Sequence, residues 1–199
     1  MQGETYKTIT NSSEGIYKGK GSKFLAYAYP VSSEDEVRAH LEALRKEHHA
    51  ARHHCWAYKL GNSGEIYRCS DDGEPTNSAG KPILGQLEAF DVTNVAVVVV
   101  RYFGGVLLGV GGLIQAYKEA AKSALASSEI VEKIVEVHYK IEYAYEQSSA
   151  VQIVLKRYKC AVRSQSYTDV CSIHFSVAKS NADDCVLAFQ QINIKAENE

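Results

Sequence analysis

The chain has no apolar stretch near the roughly 20 residues needed to cross a bilayer, so no membrane span is expected. Its opening residues, MQGETYKTITNSSEG, are polar and lack the apolar core of a secretory signal, which points to the cytoplasm. Neither charge is in excess. There are 22 Lys and Arg against 24 Asp and Glu, for a net charge of -2, divided evenly between residues 1–130 and 131–199. No bulk field draws such a protein to nucleic acid or to an anionic membrane, so any nucleic-acid contact has to be a local patch. Cysteine is sparse: there are five, an odd number, and no two stand at C-x-x-C spacing. Free thiols in a reducing compartment are expected. Internal repeats and low-complexity tracts are absent.

What is present is a real core. Hydrophobic residues make up 45% of 199 positions, enough for one large domain or two small ones. The most informative stretch is Arg101 to Tyr117, RYFGGVLLGVGGLIQAY. It follows the apolar run Val95 to Val100, which reads as a buried strand. Five glycines, Gly104, Gly105, Gly109, Gly111 and Gly112, then lead into an Ala-rich helix expected over Leu113 to Ala126. A buried strand, a glycine loop and a helix N-terminus suit an anion or a polar ligand. A tight glycine turn packing a helix on a sheet is the simpler reading. The known phosphate motifs do not fit. A dinucleotide fingerprint needs glycine where Ile114 stands, and a P-loop needs Lys and Ser or Thr where Val110 and Gly111 stand.

Elsewhere, Thr5 to Thr10 and Lys23 to Tyr29 read as strands. Ser33-Glu34-Asp35-Glu36 is a capping box, and Val37, Leu41 and Leu44 predict a helix to about His49. His54 to Leu60 and Glu65 to Cys69 flank Gly61-Asn62-Ser63-Gly64 as a hairpin, with Trp56 opposite Cys69 and Cys55 opposite Ser70. Ser70 to Asn77 is a loop, and Ser78 is placed to cap a short helix carrying Ile83, Leu84, Leu87 and Phe90. The pattern changes near Ser127-Ser128. Beyond it come a strand (Val135 to Tyr143), a helix (Ala150 to Tyr158) and two strands (Ala161 to Tyr167, Val170 to Ala178). A helix capped by Asn181 and a last strand, Ile192 to Lys195, follow. That order, βαββαβ, is the ferredoxin-like split βαβ. The expected division is 1–130 and 131–199, in an α+β chain.

Four constellations have chemical potential. Asp71, Asp72 and Glu74 put three carboxylates within four residues, suited to a hard metal, to positioning a water, or simply to solvent. His48, His49, His53 and His54 lie beside Cys55. Zinc would require His49 and His53 on one helix, and a binding role is the alternative. Arg101 ends the buried strand, where it can clamp a phosphate or pair with Asp71, Asp72 or Glu74. A Cys–His nucleophile using Cys55 or Cys69 has no visible activating third group.

The segments Ala51-Arg52-His53-His54-Cys55-Trp56-Ala57-Tyr58, Ser70-Asp71-Asp72-Gly73-Glu74-Pro75, Ala79-Gly80-Lys81-Pro82-Ile83 and Arg101-Tyr102-Phe103-Gly104-Gly105 through Leu108-Gly109 to Gly111-Gly112-Leu113 resemble the IMPACT family. The resemblance covers about the first 130 residues. One departure is Asn77, where the family usually carries glycine. The resemblance implies an N-terminal α+β domain like the second domain of a small-subunit ribosomal protein, then a ferredoxin-like domain. That layout is similar to the last two domains of elongation factor G. Eukaryotic members regulate translation under amino-acid starvation through a partner-binding domain that this sequence does not contain. The expected function is therefore a cytoplasmic, non-enzymatic binding protein near translation, with RNA or the ribosome as partner and no cofactor. Its cleft would hold Lys81, Arg101, His53, Asp71, Asp72, Glu74 and the five glycines, with Tyr58 or Tyr102 available to stack on bases. The alternative is a nucleotide- or metal-dependent enzyme using the same cleft, with Asp71 and Asp72 on magnesium.

Overall fold

A computed structural model describes residues 4–168 and 170–199. The chain divides into two compact units, one spanning Tyr6–Lys133 and the other Ile134–Glu199 together with the residues up to Thr5. It is an α+β protein in which the paired strands of both main sheets run antiparallel.

The first unit contains β1 (Thr5–Ile9), β2 (Ser13–Gly19), β3 (Ser22–Pro30), α1 (Glu34–Glu47), β4 (His53–Leu60), β5 (Ile66–Ser70), α2 (Gly80–Ala89), β6 (Val95–Tyr102) and α3 (Gly109–Ala126), with β7 (Ile130–Ile134) closing it. Five strands form one sheet in the order β2-β3-β6-β4-β5, and β1 pairs with β7 separately. Strand β6 is central, and Val95 to Val100 are buried on both faces. Helices α2 and α3 cover one face, where Phe24, Ala26, Ala28, Val97 and Val99 join the main core. On the other face Val37 of α1 packs with Tyr58, Leu60 and Ala96. Coverage on both sides explains why the run shows no alternation, although the sheet is antiparallel. Helix α3 lies close on β2 because its inward residues are small: Ala116, Ala120, Ala121 and Ala124 are fully buried. A Cβ at Gly15 would fall 2.3 Å from the Ala124 nitrogen, so β2 needs glycine there.

The second unit contains β8 (Glu136–Tyr143), α4 (Ser148–Arg157), β9 (Ala161–Tyr167), β10 (Cys171–Ala178), α5 (Lys179–Gln191) and β11 (Ala196–Asn198). The sheet order is β11-β8-β10-β9, the pairing of a split βαβ. The alternation read in the sequence is real: Cys171, Ile173, Phe175 and Val177 all face the core.

Local differences have local causes. The β4–β5 hairpin pairs Leu60 with Ile66, so Trp56 lies opposite Ser70 and Ala57 opposite Cys69, one residue away from the expected register. Five residues, not four, make the loop, with Gly61 and Gly64 at positive φ and the Glu65 carboxylate accepting from Ser63 N–H and Oγ. At α1 Ser33 is the N-cap as expected, but Glu36 reaches one residue further back, to Ser32 N–H at 2.7 Å. Asn181 caps nothing, because α5 starts at Lys179 directly after β10. Ile192 to Ile194 are not a strand. Their N–H groups close the end of α5 through Asn193 in the left-handed region (φ 59°), and the last strand forms at Ala196–Asn198.

Candidate functional site

The acidic loop between β5 and α2 is held by its own side chains. Asp71 accepts from the N–H groups of Asn77 (2.8 Å), Ala79 (3.0 Å) and Gly80 (2.8 Å). It therefore caps α2, in place of Ser78, whose hydroxyl donates to the Pro75 carbonyl at 2.6 Å. Asn77 sits at φ +61°, a conformation open to glycine and tolerated by asparagine, which accounts for its departure from the family pattern. Asp72 accepts from His54 N–H at 2.7 Å and from Arg45 at 3.0 Å. These carboxylate oxygens already face N–H donors, an arrangement that serves loop architecture more directly than a cation. Among the described residues no group of three His, Cys, Asp or Glu is placed to hold a metal ion.

Arg101 and His53 are opposite each other in the β4–β6 ladder, on the face covered by α2 and α3. Arg101 is buried. Its Nη1 donates to Glu74 Oε1 at 2.7 Å, with side-chain exposures of 7% and 3%, so each charge is neutralised by the other. The Tyr117 hydroxyl donates to the same Glu74 oxygen at 2.7 Å. The guanidinium lies 5.5 Å from the ring centres of Phe24 and Phe103. Burial pushes the Tyr117 hydroxyl and the neighbouring Cys55 thiol far above their ordinary ranges. Cys55 is thus an inert core thiol beneath Asp71, whose carbonyl lies 3.0 Å from its sulfur. His53 donates its Nδ1–H to the Asp72 carbonyl at 2.9 Å, which orients the ring at a half-buried position.

The other histidines scatter. His48 bridges the Tyr27 and Tyr102 hydroxyls at 2.8 and 2.9 Å, His49 is exposed, and His54 is buried, its Nε2 without a partner among the described residues. Tyr102 is thereby committed to His48, while Tyr58 is buried, stacks on Trp56 and donates to Glu34 at 2.8 Å. Tyr58 is therefore not open to a base, whereas at Tyr102 the hydroxyl is engaged and the ring is half-buried. Lys81 is exposed in the first turn of α2, beside Cys69.

The five glycines separate into two groups. Gly104 and Gly105 are in the loop, whereas Gly109, Gly111 and Gly112 belong to the first turn of α3, which starts four residues earlier than expected. Gly104 rests on the β2–β3 turn, where a Cβ would lie 1.9 Å from the Gly21 carbonyl carbon. Gly105, Gly109 and Gly111 face open space. Leu108 at the α3 N-cap has no side-chain cap to offer, and among the described residues no other side chain caps the first N–H groups. Around it Phe103, Val106, Leu107, Val110 and Ile114 are exposed, Leu107 by 81%. The β2–β3 turn at Lys20-Gly21, with both residues at positive φ, carries exposed Lys18, Lys20 and Lys23. Lys18 and Lys23 are direct cross-strand partners, and among the described residues none of the three forms an ion pair. Sequence reading missed these lysines, since only the Gly21–Gly104 contact brings them to the glycine segment.

Among the described residues no helix is long and apolar enough to cross a membrane. The family model of the Impact N-terminal domain matches residues 20–125. An IMPACT family member of Haemophilus influenzae is 37% identical over 150 residues, 74% of this chain and 73% of that one. The member YigZ of Escherichia coli is 37% identical over 138 residues, 68% of each chain. A crystal structure described only as a hypothetical protein superposes with a TM-score of 0.75 at 27% identity, covering 97% of this chain and 96% of that one. With all four motifs, the N-terminal domain match and similarity over most of its length, the chain belongs to the IMPACT family.

Proposed function

We propose that this is a regulatory binding protein acting near translation, and that it contacts RNA or a ribosomal surface through the glycine segment Gly104–Gly112 and the lysines beside it. The translational part rests on family membership. The observation that carries the contact surface is the seating of Gly104 on Gly21. It sets three lysines, without an ion pair among the described residues, near the start of α3 and its exposed apolar side chains. Like charges directly across a ladder destabilise it, so Lys18 opposite Lys23 is costly until an anion arrives. Lysines and helix N–H groups suit phosphates, and Phe103 suits a base face. Arg101 is assigned a structural role, because Glu74 already consumes its charge.

The test is fluorescence anisotropy with a labelled, mixed-sequence single-stranded RNA, titrated at several salt concentrations. Each phosphate contact on a single strand contributes a log–log slope of about -0.7, so three lysines give about -2. Replacing Lys18, Lys20 and Lys23 together by Gln should flatten the slope. Phe103→Ala should weaken binding without altering it. RNA affinity no better than that of an unrelated acidic protein would overturn the reading. The nucleotide or enzyme alternative has one observation in its favour, the His53 ring oriented by its Nδ1–H bond to the Asp72 carbonyl. Calorimetric binding of a magnesium nucleotide that is lost in His53→Ala would favour it.

A further inference from the structure

The second unit carries a pair of thiols that sequence spacing did not disclose. Cys160 follows α4, just after Lys159 in the left-handed region (φ 52°), and is half-buried. Cys185 is buried on the inner face of α5. Their sulfurs are 3.7 Å apart although the residues are 25 apart in sequence. A disulfide needs an S–S separation of about 2.0 Å, so closure requires an approach of about 1.7 Å, the scale of a side-chain rotation. We propose that Cys160 and Cys185 are a redox couple, in which a hydroperoxide oxidises Cys160 and Cys185 resolves it to an intramolecular disulfide.

The two thiols are unequal in the way this chemistry requires. Either S–H can donate to the other sulfur, and this contact holds the Cys160 thiol below its ordinary range while it pushes the Cys185 thiol up, burial adding to the latter. Cys160 is also the more accessible of the two, so it is the attacking thiolate. It attacks one peroxide oxygen. The S–O bond forms, the O–O bond breaks, and the departing oxygen leaves protonated as water or alcohol. Cys160 is then a sulfenic acid. The Cys185 sulfur attacks the Cys160 sulfur, the S–S bond forms, and hydroxide departs and takes the Cys185 proton as water. The two sulfurs together lose two electrons, and the peroxide gains them. A dithiol reductant reverses the change. The other cysteines lack this arrangement. Burial pushes both Cys55 and Cys69 up, and Cys171 is buried in the core of the sheet.

The experiment uses the full chain, fully reduced, then exposed to a small excess of hydrogen peroxide, alkylated after denaturation and digested with trypsin. The expected result is two fewer alkylated thiols and a linked pair of peptides, residues 160–163 with residues 180–195. Cys185→Ser should instead accumulate a Cys160 sulfenic acid trapped by a 1,3-diketone. Cys160→Ser, at a half-buried turn position that tolerates serine, should abolish both products and leave four alkylated thiols. Five alkylated thiols in the oxidised wild-type chain, or a linkage between any other two cysteines, would overturn the proposal. So would unchanged oxidation in Cys160→Ser.

Discussion

Replacing Arg101 by methionine should destabilise the first unit severely, although an arginine at a strand end looks replaceable in the sequence. Methionine keeps much of the packing between Phe24 and Phe103 but removes the cation paired with Glu74. The carboxylate, with a side chain 3% exposed, would retain just the Tyr117 hydroxyl as donor. Breaking a buried ion pair from one side costs about 3–5 kcal/mol, because the remaining charge stays out of water. Removing both partners costs far less, so Arg101→Met with Glu74→Gln should recover about 2 kcal/mol or more of that loss. The assay is urea unfolding followed by tryptophan fluorescence. The chain has one Trp, Trp56 in β4, so the signal reports on this unit. The four-member cycle yields the coupling between the two side chains directly. A single Arg101→Met variant within about 1 kcal/mol of the parent, or strict additivity in the double variant, would show that the pair is not a buried structural element.

Three further outcomes follow from the same geometry. Asp71→Ala should cost about 1–3 kcal/mol by orphaning the N–H groups of Asn77, Ala79 and Gly80, and Asp71→Asn should cost less because an acceptor remains; equal unfolding midpoints for the two would contradict the capping role. Burial lowers the pKa of His54, although the Asp72 charge opposes this, so the folded chain keeps it neutral while the unfolded chain protonates near 6.5. Its stabilising contribution is whole above that pH and is lost as pH falls from about 6.5 toward the folded value, at up to about 1.4 kcal/mol per pH unit; His54→Leu should flatten the fall in urea midpoint between pH 8 and 5, and an unaltered profile would count against it. Gly104→Ala should prevent normal docking of the β2–β3 turn, given the 1.9 Å approach to Gly21, whereas Gly111→Ala, in open space within α3, should stabilise by about 0.5–1 kcal/mol; thermal melts that fail to separate the two would refute the placement.

Some features were legible because they are local. Ser33 capping α1, the apolar run of β6, the alternation of Cys171 to Val177 and the βαββαβ order each arise within a few residues of chain, where period and cap chemistry decide conformation. Strand β2 was not legible. Its residues are mostly half-exposed at a sheet edge, and its one essential residue, Gly15, is required by a helix more than a hundred residues later. The start of α3 was obscured by glycines that are poor helix formers and nonetheless occupy its first turn.

The sequence by itself determined the family, the α+β class, most of the elements and the residue types gathered near Arg101. Tertiary structure decided what those residues do. Strand order β2-β3-β6-β4-β5 puts His53 across from Arg101 and the Lys20 turn against Gly104. Packing of α3 and the Glu74 loop then buries Arg101 beside a carboxylate, which turns a candidate phosphate clamp into a core ion pair. In the second unit the packing of α4 and α5 on one sheet brings Cys160 to Cys185. The physical reason is common to all of these cases. Periodicity and capping act over one or two turns of chain, but the fate of a charge or a thiol depends on burial and on its nearest partner, and here those partners lie 25 and 27 residues away in sequence.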